Sequence, residues 1–127
     1  MNPQKATILL IEDDHILVEM YQIKFKVSNL KLVVATGGYQ GLDMLKKEKP
    51  DLVLLDIKMD DLNGFEVLKQ MKSDPSMKNI PVLLLTNMSE KETAEKGINL
   101  GAELYLMKAK LTPNEIISIV INRLKEL

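Results

Sequence analysis

Cysteine is absent from the 127 residues, which excludes disulfides, thiolate catalysis and Cys-based zinc or iron–sulfur sites. Tryptophan is absent as well, and aromatic residues make up only 4% of the chain, so a base-stacking platform is not expected. The single histidine, His15, cannot form a His-rich metal site or a Ser-His-Asp triad. An excess of one charge is also lacking. Lys and Arg total 17 against 18 Asp and Glu, with no basic tail, which gives no electrostatic reason to expect direct nucleic-acid binding. Apolar runs such as Thr7–Ile11 and 81–85 span five residues, against roughly 20 for a helix that crosses a bilayer. The start, Met1-Asn2-Pro3-Gln4-Lys5, has no signal-peptide features. No membrane association is expected, and the cytoplasm is the expected location.

What is present is an ordinary globular composition, 46% hydrophobic and 28% charged, at the length of one domain. Short apolar runs alternate with segments of helical period. Thr7–Ile11 is continuously apolar and stops at Glu12-Asp13-Asp14, as suits a strand buried on both faces. A helix follows over His15–Val27, with Asp14 as its cap and Ile16, Met20, Ile23 and Val27 as its apolar face. Lys31–Ala35 is a second strand and 41–47 a short helix carrying Leu42 and Leu45. The third strand runs over 52–56 and ends in a carboxylate; the helix after Gly64 presents Phe65, Leu68 and Met71 or Lys72. A fourth strand, 82–85, ends at Thr86. It is followed by a polar helix over 90–99 with Ala94 and Ile98 as its sparse apolar face. Leu104–Met107 is a fifth strand, ending at Lys108. A last helix starts at the Thr112-Pro113 pair, with Glu115 completing a capping box and Ile116, Ile117, Val120, Ile121 and Leu124 on its face. This alternation predicts one α/β domain over 1–127, a doubly wound parallel sheet covered on both faces by helices.

Chemistry concentrates at the strand ends. Glu12, Asp13 and Asp14 follow the first strand, Asp56 closes the third, Thr86 the fourth and Lys108 the fifth. Ligands of open parallel sheets bind outside the carboxyl ends of the strands. With a strand order of 2-1-3-4-5, these polar ends become neighbours, about 4.8 Å apart per strand. Carboxylates that close repel, and a divalent cation relieves them. An open, oxygen-only site suits Mg²⁺, with Mn²⁺ as the alternative. A carboxylate beside such a cation, a lysine and a hydroxyl can act as a nucleophile toward phosphorus. From chemistry alone, Asp56 is the expected nucleophile of a Mg²⁺-dependent phosphoryl acceptor.

Five segments, in order, carry a resemblance: Ile8-Leu9-Leu10-Ile11-Glu12-Asp13-Asp14, Pro50-Asp51-Leu52-Val53-Leu54-Leu55-Asp56-Ile57-Lys58-Met59, Gly64-Phe65-Glu66-Val67-Leu68, Pro81-Val82-Leu83-Leu84-Leu85-Thr86 and Gly101-Ala102-Glu103-Leu104-Tyr105-Leu106-Met107-Lys108. Over residues 6–124 the chain resembles the receiver domain of two-component response regulators. The resemblance implies the 2-1-3-4-5 order of the flavodoxin-like receiver fold, and a role for each matching residue. Asp56 is then the phosphorylated aspartate. Asp13 is a direct metal ligand, Glu12 acts largely through water, and Lys58 supplies a backbone carbonyl. Lys108 contacts the phosphoryl group, Thr86 is the switch hydroxyl, Tyr105 is the ring that turns inward behind it, and Gly64 allows the turn into the third helix. Such a protein is a signalling domain that catalyses only its own phosphorylation and dephosphorylation.

The implied partners are a sensor histidine kinase or phosphotransfer protein and a downstream protein or effector domain. The face formed by 90–99, 104–107 and 113–124 is the family's usual output and homodimer surface. If 127 residues is the natural length, a chain with no attached effector acts through protein contacts or as a relay intermediate; if the chain is a piece of a longer protein, an effector domain has been removed. Lys58 and Met88 flank the site at positions that tune phosphoryl lifetime in relatives.

Three positions depart from the family pattern. Asp60 stands where a proline is usual, Asn87 where a small residue is frequent, and Ala109 where a cis-joined proline is usual. A cis bond before a non-proline residue costs about 2.5–4 kcal/mol. Either Ala109 tolerates that or the loop over 108–111 takes another path. These departures motivate a second reading, a pseudo-receiver that serves only as a docking module. A flavodoxin-like cofactor binder is disfavoured, because no glycine-rich phosphate loop follows the first strand and three acids do.

Overall fold

A computed structural model describes residues 1–87 and 91–127. After a 3₁₀ turn at Pro3–Lys5, strands and helices alternate: β1 Thr7–Ile11, α1 His15–Val27, β2 Lys31–Ala35, α2 Gly38–Glu48, β3 Leu52–Leu55, α3 Gly64–Ser73, β4 Val82–Thr86, α4 Lys91–Asn99, β5 Leu104–Met107 and α5 Pro113–Lys125. The strands form one parallel sheet of order β2-β1-β3-β4-β5, as expected. Of the residues named at sequence level, Met88 and Glu90 lie outside the described residues.

Each central strand splits its side chains between two apolar layers, because successive residues point to opposite faces. Ile8 and Leu10 of β1 pack with Val18, Tyr21 and Phe25 of α1 and with Ile116, Val120 and Leu124 of α5. Leu9 and Ile11 pack on the other side with Leu45 of α2 and Val67, Leu68 and Met71 of α3. All of β3 and β4 is buried, so the apolar runs are continuous rather than alternating. The chain leaves β1 toward β2 on one side and returns to β3 on the other. That reversal opens a crevice above the carboxyl ends of β1 and β3.

The helix caps follow the residue chemistry. Asp14 Oδ1 accepts from the N–H groups of Ile16 (3.0 Å) and Leu17 (3.3 Å) at the start of α1. At α5, Thr112 Oγ1 accepts from the Glu115 N–H at 3.2 Å, and Glu115 Oε1 accepts from the Thr112 N–H at 3.0 Å.

Three expectations are corrected. The buried face of α1 is Val18, Tyr21 and Phe25, whereas Ile16, Ile23 and Val27 are 80%, 63% and 80% exposed. Two apolar sets share this helix, and nine residues (Ile16 to Phe25) make about two and a half turns, which puts them on opposite sides. Both sets have helical period, so periodicity could not choose between them. On α4 the buried residues are Thr93 and Gly97, with Ile98 exposed. A Cβ at position 97 would stand 2.3 Å from Leu84 Cδ1, so any larger residue would force Leu84 to shift. Finally, α2 begins at Gly38, three residues earlier than expected, because its N-terminus is capped from a distant loop by Asp61. Among the described residues there is no cis peptide bond; the loop after β5 turns through a Lys110 N–H to Met107 carbonyl bond of 3.1 Å. Ala109 therefore belongs to the alternative loop path. No helix among the described residues is long and apolar enough to cross a membrane.

Candidate functional site

Main-chain hydrogen bonds continue the sheet ladder past the strand ends and so set the site residues in place. The Glu12 N–H donates to the Ala35 carbonyl at 2.9 Å, the Asp56 N–H to Ile11 at 3.0 Å and the Lys108 N–H to Thr86 at 2.8 Å. β3 ends at Leu55, so Asp56 is the first residue beyond the strand rather than its last. The turn that leaves it is held by the Gly64 N–H on the Ile57 carbonyl, 2.7 Å. A Cβ at position 64 would collide with the Asp56 carbonyl oxygen and crowd Ile57 Cα, which accounts for the glycine.

Glu12, Asp13 and Asp56 each bring one oxygen within 4.8 Å of the others. Glu12 is 1% exposed and Asp56 6%. The Lys108 ammonium contacts Glu12 Oε1 directly and lies 3.4 Å from Asp56 Oδ1. Glu12 Oε2 also accepts from the Asp14 N–H at 3.3 Å, and Asp13 Oδ2 accepts from the Asp60 N–H at 3.2 Å. Glu12, Asp13, Asp56 and Lys108, with Lys58 and Thr86, line a cleft of about 170 Å³.

Burial pushes the Asp56 carboxyl up; the Lys108 charge opposes this and the Glu12 charge reinforces it, leaving it at about 7. Burial, aided by the Glu12 charge, also pushes the Tyr21 phenol up to about 12. With all four groups ionised, three carboxylates and one ammonium leave two negative charges in the cleft. The donors are hard oxygens, the chemistry that a Mg²⁺ or Mn²⁺ ion satisfies.

The switch candidates are placed by register. Leu84 pairs with Tyr105 and Thr86 with Met107. Thr86, two residues beyond Leu84, therefore shares Tyr105's face of the sheet. Thr86 is 1% exposed; Tyr105 is half-buried against the apolar layer under α3. Among the described residues, Glu12, Asp13, Asp56, Lys58, Thr86 and Lys108 line the cleft, and Tyr105 lies on the β5 face beside it. His15 is exposed at the first turn of α1.

Sequence reasoning missed Asp60 and Asp61 as site components. Asp60 acts through a main-chain N–H that no side-chain pattern reveals. Asp61 left one sequence signal, a helix start at Gly37-Gly38 with no local capping side chain.

The model of the response regulator receiver domain family matches residues 8–121. The polar-differentiation response regulator DivK of Brucella anthropi is 27% identical over 113 residues, covering 89% of this chain and 92% of DivK. The Mn(2+)-bound form of response regulator Rcp1 matches with a TM-score of 0.78 at 27% identity, covering 92% of this chain and 90% of that one. The phosphorylated cyanobacterial phytochrome response regulator RcpA matches with a TM-score of 0.79 at 26% identity, over 92% of this chain and 89% of that one. With its sheet order, its strand-end acids and a family match from β1 into α5, the chain belongs to the response regulator receiver domains of two-component signalling.

Proposed function

We propose that Asp56 accepts a phosphoryl group from the phosphohistidine of a sensor kinase or phosphotransfer protein. One observation carries this reading: a buried carboxylate sits at the switch point of the sheet, with two further acids and a lysine around it. An Asp56 oxygen attacks phosphorus while the phosphorus–nitrogen bond to imidazole breaks, its electron pair leaving with the nitrogen. Asp13, Asp56, the Lys58 carbonyl and, through water, Glu12 would hold Mg²⁺ (or Mn²⁺ in its place), which would supply positive charge against the transferring phosphoryl oxygens. Lys108 exchanges its contacts with Glu12 and Asp56 for a phosphoryl oxygen. The short Asp56 distance, 3.4 Å, makes this a small movement of one flexible side chain.

Thr86 then donates its hydroxyl to the phosphoryl oxygen, and Tyr105 turns inward on the same face. The affected surface is α4, β5 and α5, where Ile98 and Leu104 are 45% and 41% exposed. We assign output contacts and homodimerisation to this face. Arg123 of α5 is tied to Glu103, at the foot of β5, through Nε to Oε2 and through Nη2 to Oε1 at 2.8 Å, which links two elements of that surface.

Intact mass after incubation with acetyl phosphate tests the reading. The parent gains one phosphoryl group with Mg²⁺ and none with chelator, and Asp56→Asn gains none. Uptake by neither protein under any condition leaves the docking-module reading in its place.

A further inference from the structure

Asp60 and Asp61 are both exposed, yet each makes a specific long-range contact. The Asp60 N–H donates to Asp13 Oδ2 at 3.2 Å, across 47 residues of sequence. Asp61 reaches the other way. Its Oδ1 accepts from the Gly38 N–H at 2.9 Å and its Oδ2 from the Tyr39 N–H at 3.1 Å, the first turn of α2. Its Oδ1 also accepts from the Leu62 N–H at 2.7 Å.

The N-cap residue of α2, Gly37, makes no side-chain cap. A Cβ there would stand 2.9 Å from Asp61 Oδ2, so the missing side chain leaves room for the carboxylate of the other loop. A carboxylate at a helix N-terminus is held by the free N–H groups and by the helix dipole. Accordingly the Gly38 N–H, with those of Tyr39 and Leu62, holds the Asp61 carboxyl below the usual carboxylate range. One residue upstream, the anchored loop offers a main-chain N–H to Asp13. Proline, usual at position 60 in the resemblance above, has no such N–H.

We propose that Asp60 and Asp61 form a positioning clamp for Asp13: Asp61 pins the loop after β3 to α2, and the pinned loop fixes the Asp13 carboxylate through the Asp60 N–H. This rests on the reading of Asp13 as a divalent-cation ligand. A carboxylate has about four acceptor sites, so Asp13 can take the Asp60 N–H and still present oxygen to the cleft. Its oxygen within 4.8 Å of both Glu12 and Asp56 is then oriented before the ion arrives. Ligating carboxylates are commonly held by such outer hydrogen bonds, and losing one weakens metal binding by about 10–100-fold.

The test is titration of the full chain with Mg²⁺ alone, followed by amide chemical shifts or calorimetry, beside thermal stability without metal. Asp60→Asn and Asp60→Pro remove the same charge, but only Asp60→Pro removes the N–H. We expect Asp60→Pro to bind Mg²⁺ about tenfold more weakly than Asp60→Asn. Asp61→Ala is expected to weaken binding in the same direction, Asp61→Asn to restore part of it through its remaining acceptor oxygen, and Asp61→Ala to add little on top of Asp60→Pro.

Should Asp60→Pro fail to fold, the Asp61→Ala and Asp61→Asn pair carries the test alone. Equal Mg²⁺ affinity in the Asp60→Pro and Asp60→Asn variants overturns the clamp while leaving the metal site intact. So does a loss of melting temperature in Asp61→Ala with unchanged Mg²⁺ affinity, the mark of a merely structural cap. A parent that binds no Mg²⁺ overturns the metal reading itself, and the clamp with it.

Discussion

The Lys108 ammonium lies 3.4 Å from Asp56 Oδ1 while resting directly on Glu12 Oε1, so one cation serves two buried carboxylates that follow different strands. Lys108 and Glu12 have side chains only 8% and 1% exposed, which makes their pairing costly to break from one side. Removing the cation leaves Glu12 as a buried charge without its partner, a situation that costs about 3–5 kcal/mol. Lys108→Met should therefore lower stability by about 3 kcal/mol in chelator, read from urea midpoints. Mg²⁺ should restore much of the loss, because the ion supplies the missing positive charge. A variant as stable as the parent in chelator would show that the pair contributes nothing.

Asp56 itself should make stability depend on pH. Its carboxyl titrates at about 7 in the folded chain because of burial, against about 3.9 in an unfolded one. Between those values the unfolded state gives up the proton and the native state keeps it, so stability falls as pH rises from about 4 to about 7. Discounting for relaxation and water entry leaves a penalty of about 1–2 kcal/mol for the ionised group, or roughly 4–8 °C in melting temperature. Asp56→Asn, measured without divalent cation, should raise the melting temperature by that amount at pH 8 and leave it unchanged at pH 4.

The two apolar faces of α1 should respond differently to substitution. Phe25 is fully buried and edge-on to Tyr21, with ring centroids 6.5 Å apart. Phe25→Ala should cost about 3–5 kcal/mol. Ile23 is 63% exposed, and Ile23→Ser should stay within about 0.5 kcal/mol of the parent. Comparable losses at both positions in chemical denaturation would place the helix in a different rotation.

At Gly64 the backbone of α3 approaches the Asp56 carbonyl too closely for any side chain. Gly64→Ala must displace that carbonyl or the helix start, at a cost of about 1–3 kcal/mol. Because the displaced residue is the proposed acceptor, phosphoryl uptake from acetyl phosphate should slow along with the loss of stability. Loss of stability with an unchanged uptake rate would separate the turn from the site.

Much of this architecture is readable without coordinates. Glu12, Asp13, Asp56, Thr86 and Lys108 stand directly after continuous apolar runs, and in a parallel sheet such positions converge on one cleft. Local chemistry was equally legible where caps were local, as at Asp14 and at Thr112 with Glu115. The misread parts depend on tertiary neighbours. Which of two periodic stripes on α1 turns inward is decided by the sheet and α5, not by period. The early start of α2 depends on Asp61, 23 residues from Gly38. The burial of Thr93 and the close approach of Gly97 to Leu84 reward small size, a property hydropathy does not register.

The central claim, that Asp56 is the phosphoryl acceptor, is tested most directly by locating the modified residue. Borohydride reduces an aspartyl phosphate to homoserine, and peptide mass analysis then reads its position. After acetyl phosphate and Mg²⁺, homoserine should replace the aspartate at position 56 alone, and chelator should abolish it. Homoserine at Asp13, Asp60 or another carboxylate, or at none in a protein that binds Mg²⁺, would contradict the account.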